Sequence, residues 1–145
     1  MKASPLVYVD TSALGALLIH QSETEALAEW LDQVDANLVS SELLETELRR
    51  MAAREERDQA KVSAILDGVS LAALDRAVYR SAGLLPMKYL RTLDALHLEA
   101  AIRLGVDAVL TYDYRLAEAA SAAGFDVVAP GREPPRVAAE FGSDV

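Results

Sequence analysis

Leu6-Val7-Tyr8-Val9 is an unbroken apolar run that stops at an acid, Asp10, after which Thr11 and Ser12 open an Ala/Leu-rich stretch reaching Ile19. A short continuous run of β-forming residues reads as a strand buried on both faces, as in parallel sheets. Thr11 or Ser12 supplies an N-cap for the helix Ser12 to Ile19. Ser22 is the expected cap of a second helix, in which Leu27, Trp30, Leu31 and Val34 recur at spacings of three and four, so Trp30 reads as core. A strand over Asn37 to Ser40 follows. Ser41 then caps a helix from Glu42 to Ala53, and another helix runs to Leu66. Asp67-Gly68 marks a turn, Val69 to Ala72 is a further short strand, and Asp75 to Ala82 is helical, with Gly83 as its terminator. Thr92 to Leu104 is the most apolar helix and ends at Gly105. Ala108 to Thr111 is a strand, Tyr114 to Ala123 a helix stopped by Gly124, and Val127 to Ala129 the last strand. Strand and helix alternate through most of the chain, which predicts right-handed crossovers and an α/β fold: a central parallel sheet of four to five strands with helices on both faces.

Length and composition narrow the class. The chain has 145 residues, 52% of them hydrophobic, enough for one domain with a real core. We place that domain at residues 1–130 and expect a loosely ordered tail over residues 131–145, since three of the five prolines fall from Pro130 onward. Cysteine is absent and only His20 and His97 occur, which disfavours thiolate chemistry and histidine-rich zinc sites. No stretch has the length of a secretory signal or a membrane span, so a cytoplasmic protein with no membrane partner is expected. The formal charge of −9 argues against direct DNA binding by this chain alone and suits a basic protein partner. The dense mixed charges from Arg49 to Gln59 read as a solvated helical face.

The acids change the picture. A helix joining two parallel strands starts at their C-terminal edge. Asp10 ends the first strand, Asp113 sits just past the fourth, and Asp94 lies in the first turn of the helix leading into it. Glu47 is six residues past Ser41, roughly 9 Å down its helix at 1.5 Å per residue. It shares a face with Leu43, Leu44 and Met51, whereas Glu45 falls off that stripe; Glu42, Glu45 and Glu47 all remain open as surface acids. Carboxylates meeting at one rim would repel, at about 4 kcal/mol for a pair about 4 Å apart with an effective dielectric near 20. All-oxygen ligation selects a hard ion, Mg²⁺ or Mn²⁺, able to activate water and hold phosphoryl oxygens. Each acid also has a plainer reading as a cap, a first-turn acid or surface. Ser12 and Thr111 are candidates for orienting water or carboxylates, or for simple capping and strand-end roles. Arg91 and Arg115 are candidates for binding phosphate, with a structural ion pair as the default. His97, one turn after Asp94, reads as a hydrogen-bonded core histidine in preference to a ligand or base.

Four segments in order, VDTSAL, SSELLETELRR, LRTLDALHLEAA and LTYDYRLAEAA, resemble a PIN domain and, more narrowly, a VapC toxin of a type II toxin–antitoxin system. The resemblance spans residue 6 to about residue 129. It implies a PIN-like fold, Mg²⁺-dependent endoribonuclease activity with Mn²⁺ as substitute, a VapB-type antitoxin as partner, RNA as substrate, and a homodimer. Carried over by position, its catalytic and metal-holding acids fall on Asp10, Glu47, Asp94 and Asp113, and its hydroxyls on Ser12 and Thr111. Arg115 stands where some PIN domains carry a further acid, which implies a weakly held second ion. Two other classes stand beside this one. A phosphoryl-accepting receiver-like domain needs a lysine by its Asp nucleophile, and Lys88 follows no obvious strand. A non-catalytic PIN-like interaction module would have no need of all four acids.

Overall fold

Along β1 (Leu6–Val9) the side chains alternate across the sheet, and each side is buried. Val7 and Val9 enter one apolar cluster, while Tyr8 enters another. The computed structural model describes residues 4–132. The remaining strands are β2 (Asn37–Ser41), β3 (Ser70–Ala72), β4 (Ala108–Leu110) and β5 (Asp126–Val128). All five pair in parallel in the order β3-β2-β1-β4-β5. The register sets Val7 beside both Leu38 and Ala108. The sequence therefore builds outward from β1 in one direction, then returns to build in the other. The crevice between β1 and β4 is the topological switch point, where open α/β sheets bind ligands.

The helices are α1 (Thr11–Leu18), α2 (Thr24–Gln33), α3 (Leu43–Arg54), α4 (Gln59–Leu66), α5 (Arg76–Gly83), α6 (Thr92–Leu104) and α7 (Tyr114–Ala122). Leu14, Leu27, Leu44, Leu48 and Val62 bring α1 to α4 onto the Val7/Val9 face. Leu98, Ala100, Ala101, Leu116 and Ala119 bring α6 and α7 onto the Tyr8 face, and α5 packs against α6. Small residues on α6 and α7 let these helices lie close, so burial of Leu98 and Leu116 is complete or nearly so. Each such fully buried leucine is worth about 1.5–3 kcal/mol of transfer free energy.

Three expected caps are corrected. Asp10 itself, not Thr11 or Ser12, caps α1, its Oδ1 accepting from Ala13 N. The second helix starts at Thr24, and Ser22 donates to Glu23 instead of capping it. Ser41 completes β2 and does not cap α3, whose N-cap position is Glu42. The hydroxyls of Thr11, Ser12 and Ser22 donate to nearby carboxylates, and Ser41 Oγ accepts from the Tyr8 hydroxyl. Gly105, at φ 63°, ends α6 in the left-handed region that glycine adopts freely. Trp30 is half-buried, packed on the rim of the α1–α4 core and not within it.

Pro130 to Arg132 stay tied to the domain. The Tyr112 hydroxyl donates to Pro130 O, and Arg132 reaches Tyr112 O and the Glu23 carboxylate. The rest of the expected tail, from residue 133, lies outside the described residues. No helix among the described residues is long and apolar enough to cross a membrane.

Candidate metal-dependent active site

The crossovers deliver the acids to one rim because each loop at that rim joins a strand end to a helix start. Asp10 is the residue between β1 and α1, 4% exposed, and its backbone N–H still bonds to Leu110 O of β4. Asp113 lies between β4 and α7 and caps that helix through Leu116 N. Asp94 sits in the first turn of α6 and accepts from Arg91 N. Glu47, on the second turn of α3, extends to α6, where His97 Nε2 meets Oε1 at 2.7 Å. Thr11 donates to the same oxygen at 2.8 Å. The inward-facing choice among the α3 acids is thus Glu47, while Glu45 is taken up by Arg49 on the outer face.

Asp10 is the most constrained of the four. Ser12 donates to its carboxylate at 2.8 and 2.9 Å, and Thr111 donates to Oδ2 at 2.8 Å. Both hydroxyls accept a backbone N–H in turn, Ser12 from Tyr112 and Thr111 from Asp113. A hydroxyl has one proton, so these backbone bonds aim it at Asp10. Ser12 and Thr111 therefore orient a carboxylate, one of the roles foreseen for them. Burial nevertheless pushes the Asp10 carboxyl above its ordinary value, against the charge of His97 and the bonds from Ser12, Thr111 and Ala13.

Asp94 is also raised, first by burial and then by the charge of Asp113 beside it. Glu47 feels a burial penalty too, but the hydrogen bond and charge of His97, with the Thr11 bond, hold it below its ordinary value. One imidazole, His97, thus bears electrostatically on Asp10, Glu47 and Asp94 together. Asp10, Asp94 and Asp113 thus sit where a strand ends or a helix starts, and Glu47 reaches α6 through His97.

The expected arginine pairings are absent: among the described residues neither Arg91 nor Arg115 forms an ion pair, and both are exposed. No Lys or Arg ion pair among the described residues neutralises any of the four acids. Lys88 is exposed on the α5–α6 connection, with no bond to Asp10, unlike the lysine a receiver-like site requires.

Do these groups fit a hard divalent ion? The donor set does, being all carboxylate with hydroxyls behind it. The spacing is open: among the described residues no three His, Asp or Glu side chains stand close enough to enclose an ion. Each acid is instead satisfied internally, Asp10 by hydroxyls, Glu47 by His97, Asp94 and Asp113 by helix-start N–H groups. Two of them are left with raised affinity for protons. Partly desolvated acids without Lys or Arg partners are sites at which a cation relieves the cost of ionisation.

Three neighbours of the site were not among the residues singled out for chemistry. By sequence Thr11 reads as a cap, His97 as a core histidine in preference to a ligand or base, and Tyr8 as a strand residue. The one legible signal was His97, a polar side chain one turn from Asp94 on the most apolar helix.

Comparisons with known proteins bear on the family and the fold. The PIN domain family profile matches residues 7–122. Ribonuclease VapC35 of Mycobacterium tuberculosis is 37% identical over 133 residues, 88% of this chain and 98% of the relative. Ribonuclease VapC46 of the same organism is 38% identical over 128 residues, covering 86% and 97%. Among solved structures, M. tuberculosis VapC20, a sarcin-ricin loop cleaving toxin, superposes with a TM-score of 0.70 at 20% identity, covering 86% of this chain and 99% of that one. A toxin–antitoxin complex from Klebsiella pneumoniae gives 0.66 at 18% identity, covering 88% and 99%. With the family profile spanning most of the chain and relatives above 35% identity along nearly their whole length, this protein belongs to the PIN-domain family, in its VapC group.

Proposed function

We propose that this chain is the toxin of a type II toxin–antitoxin pair and that it cleaves RNA as a Mg²⁺-dependent endoribonuclease, with Mn²⁺ able to substitute. The observation that carries the reading is the placing of Asp10, Glu47, Asp94 and Asp113 toward the β1/β4 switch point with, among the described residues, no Lys or Arg ion pair on any of them. The names of the relatives, ribonucleases of the VapC group, support the same reading.

Asp10, Asp94 and Asp113 would hold the principal ion, with Glu47 completing its surroundings. The ion would supply Lewis-acid activation of water and charge neutralisation at the scissile phosphate. The chain's own residues do the rest. Ser12 and Thr111 keep the Asp10 carboxylate from rotating, because their protons are aimed by backbone N–H groups. Asp113 and Asp94 sit at helix starts, where the N-terminal dipole favours the negative oxygens of an RNA backbone. Arg91 and Arg115, exposed and in no ion pair among the described residues, are available to phosphates on either side of the cut.

Toxin–antitoxin complexes among the similar folds support a VapB-type antitoxin as partner. The acid excess suits an antitoxin segment that brings basic side chains to the rim. Exposed Tyr79 and Leu84 at α5 are compatible with a homodimer. A cytoplasmic location follows from RNA as the substrate.

Incubating the protein with RNA in Mn²⁺, in EDTA, and after Asp10→Asn tests the reading. Cleavage in Mn²⁺ that disappears in EDTA and in Asp10→Asn is expected. Cleavage that survives both removals would end the metal mechanism. Growth arrest on overexpression, rescued by a small gene beside it, tests the toxin assignment.

A further inference from the structure

A chain of hydrogen bonds leaves the core at Tyr8 and ends on a rim acid. The Tyr8 ring is 0% exposed on β1, with its hydroxyl 2.7 Å from His97 Nδ1 and 3.2 Å from Ser41 Oγ. The two rings meet edge to face, 5.7 Å between centroids. His97, 3% exposed, places Nε2 2.7 Å from Glu47 Oε1. An ionised carboxylate only accepts, so Nε2 carries a proton. Burial pushes the Tyr8 phenol up to about 12, against the bonds from Ser41 and Ser40, so it stays a donor at neutral pH. With the Tyr8 hydroxyl at Nδ1 and Glu47 at Nε2 the ring is held at both nitrogens, the arrangement by which buried partners orient a functional group.

The consequence falls on Glu47. Its Oε1 takes two donors, His97 and Thr11, while Oε2 has no hydrogen-bond partner among the described residues. A histidine that needed only to be satisfied would be served by any backbone carbonyl. Here both ring nitrogens go to side chains, one of them a member of the acid rim.

We propose that His97 is a positioning residue: braced by Tyr8, it immobilises Glu47 through Oε1, leaves Oε2 as that residue's free ligand atom, and so sets the affinity of the rim for a divalent cation. The inference rests on the metal-dependent reading above. Its physical content is pre-organisation. A glutamate has three side-chain torsions, and ordering them before the ion arrives removes that loss from binding.

The test is calorimetric titration of Mn²⁺ into the metal-free full chain and three variants, each checked for folding by circular dichroism. His97→Leu is expected to weaken Mn²⁺ binding by about 10–100-fold, the usual effect of losing a group that orients a ligand. Tyr8→Phe, which deletes one oxygen, should weaken it by a smaller factor. His97→Gln, which returns an N–H donor near the Nε2 position, should recover most of the loss; a purely structural histidine predicts no such rescue. If His97→Leu does not fold, Tyr8→Phe and His97→Gln carry the comparison. Parental Mn²⁺ affinity in folded His97→Leu or Tyr8→Phe overturns the brace and leaves the nuclease reading standing. A parent protein that takes up no Mn²⁺ overturns both.

Discussion

Thr111 and Asp10 lie 101 positions apart in the chain, yet the threonine hydroxyl, at the end of β4, donates to Asp10 Oδ2 at 2.8 Å across the switch point of the sheet. The bond exists because β1 and β4 pair in register, Val9 beside Leu110, so the residues that follow each strand emerge side by side. Removing the donor with Thr111→Val leaves a buried carboxylate short of one partner. A loss of about 1–3 kcal/mol is expected, seen as a melting temperature several degrees lower. Thr111→Ser keeps the hydroxyl and should lie much nearer the parent. Equal melts for Thr111→Val and the parent would show that Ser12 and Ala13 alone satisfy Asp10.

Protonation of the rim should shape stability in opposite directions at different pH. Asp10 and Asp94 are both raised from an ordinary 3.8, burial being the largest cause in each. An acid that holds its proton more tightly when folded adds stability that is complete below the unfolded value and is lost as pH rises through the folded one. Glu47 behaves oppositely. It is held below an ordinary 4.5 despite burial, by the hydrogen bond and charge of His97 and by Thr11, so its contribution is present above that value and lost as pH falls through the folded one. Metal-free protein in EDTA should therefore gain stability on mild acidification from neutrality and lose it again in stronger acid. Asp94→Asn should flatten the first limb, and saturating Mg²⁺ should do the same. A melting profile in which Asp94→Asn tracks the parent at every pH would refute this account.

The α3 acids should separate cleanly in a cleavage assay. Glu45 pairs with Arg49 at 2.7 Å with both side chains partly exposed, 44% and 34%, an interaction worth under ~1 kcal/mol. Glu45→Gln should cleave RNA within about twofold of the parent. Glu47→Gln should lose about 10²-fold or more in Mn²⁺, about 2.7 kcal/mol at 1.36 kcal/mol per tenfold. Comparable losses in the two variants would remove Glu47 from its special place.

Arg115 is exposed on α7, two residues past Asp113, and among the described residues it has no ion pair. Arg115→Ala should leave the melting temperature unchanged, raise KM for RNA, and reduce the slope of log binding against log salt by about one. An unchanged salt slope would mean that this cation does not meet phosphate.

The α6 core offers a check on the fold. Leu98 is 0% exposed between the sheet and α7. Leu98→Ala should cost about 2–5 kcal/mol by lost transfer free energy and cavity formation. A thermal melt close to the parent's would mean that α7 collapses into the gap.

Much of the architecture could be read from local pattern. The run Leu6 to Val9, the apolar face of α3 and the glycine after α6 each announce themselves over a few residues, because burial and backbone geometry act on neighbours in the chain. The parallel sheet followed from strand–helix alternation, and the rim position of Asp10, Asp94 and Asp113 followed from where crossovers begin. The caps were less legible. Ser22, Ser41, Thr11 and Ser12 look equivalent as cap residues until tertiary partners compete for their hydroxyls.

What the sequence determined by itself, then, was the order of elements, the two-sided burial of β1 and the supply of acids to one edge, all consequences of short-range periodicity. Only the tertiary structure decided which oxygens are held and by whom: Glu47 over Glu45, Ser12 and Thr111 on Asp10, and the path from Tyr8 through His97 to Glu47. Apart from the Ser12–Asp10 bond, which is local, those choices depend on distances of 2.7–2.8 Å between residues 36 to 101 positions apart. Hydrogen bonds are that selective in geometry, whereas hydrophobic burial is not, and so burial writes a repeating pattern into the chain and hydrogen bonding across the fold leaves none.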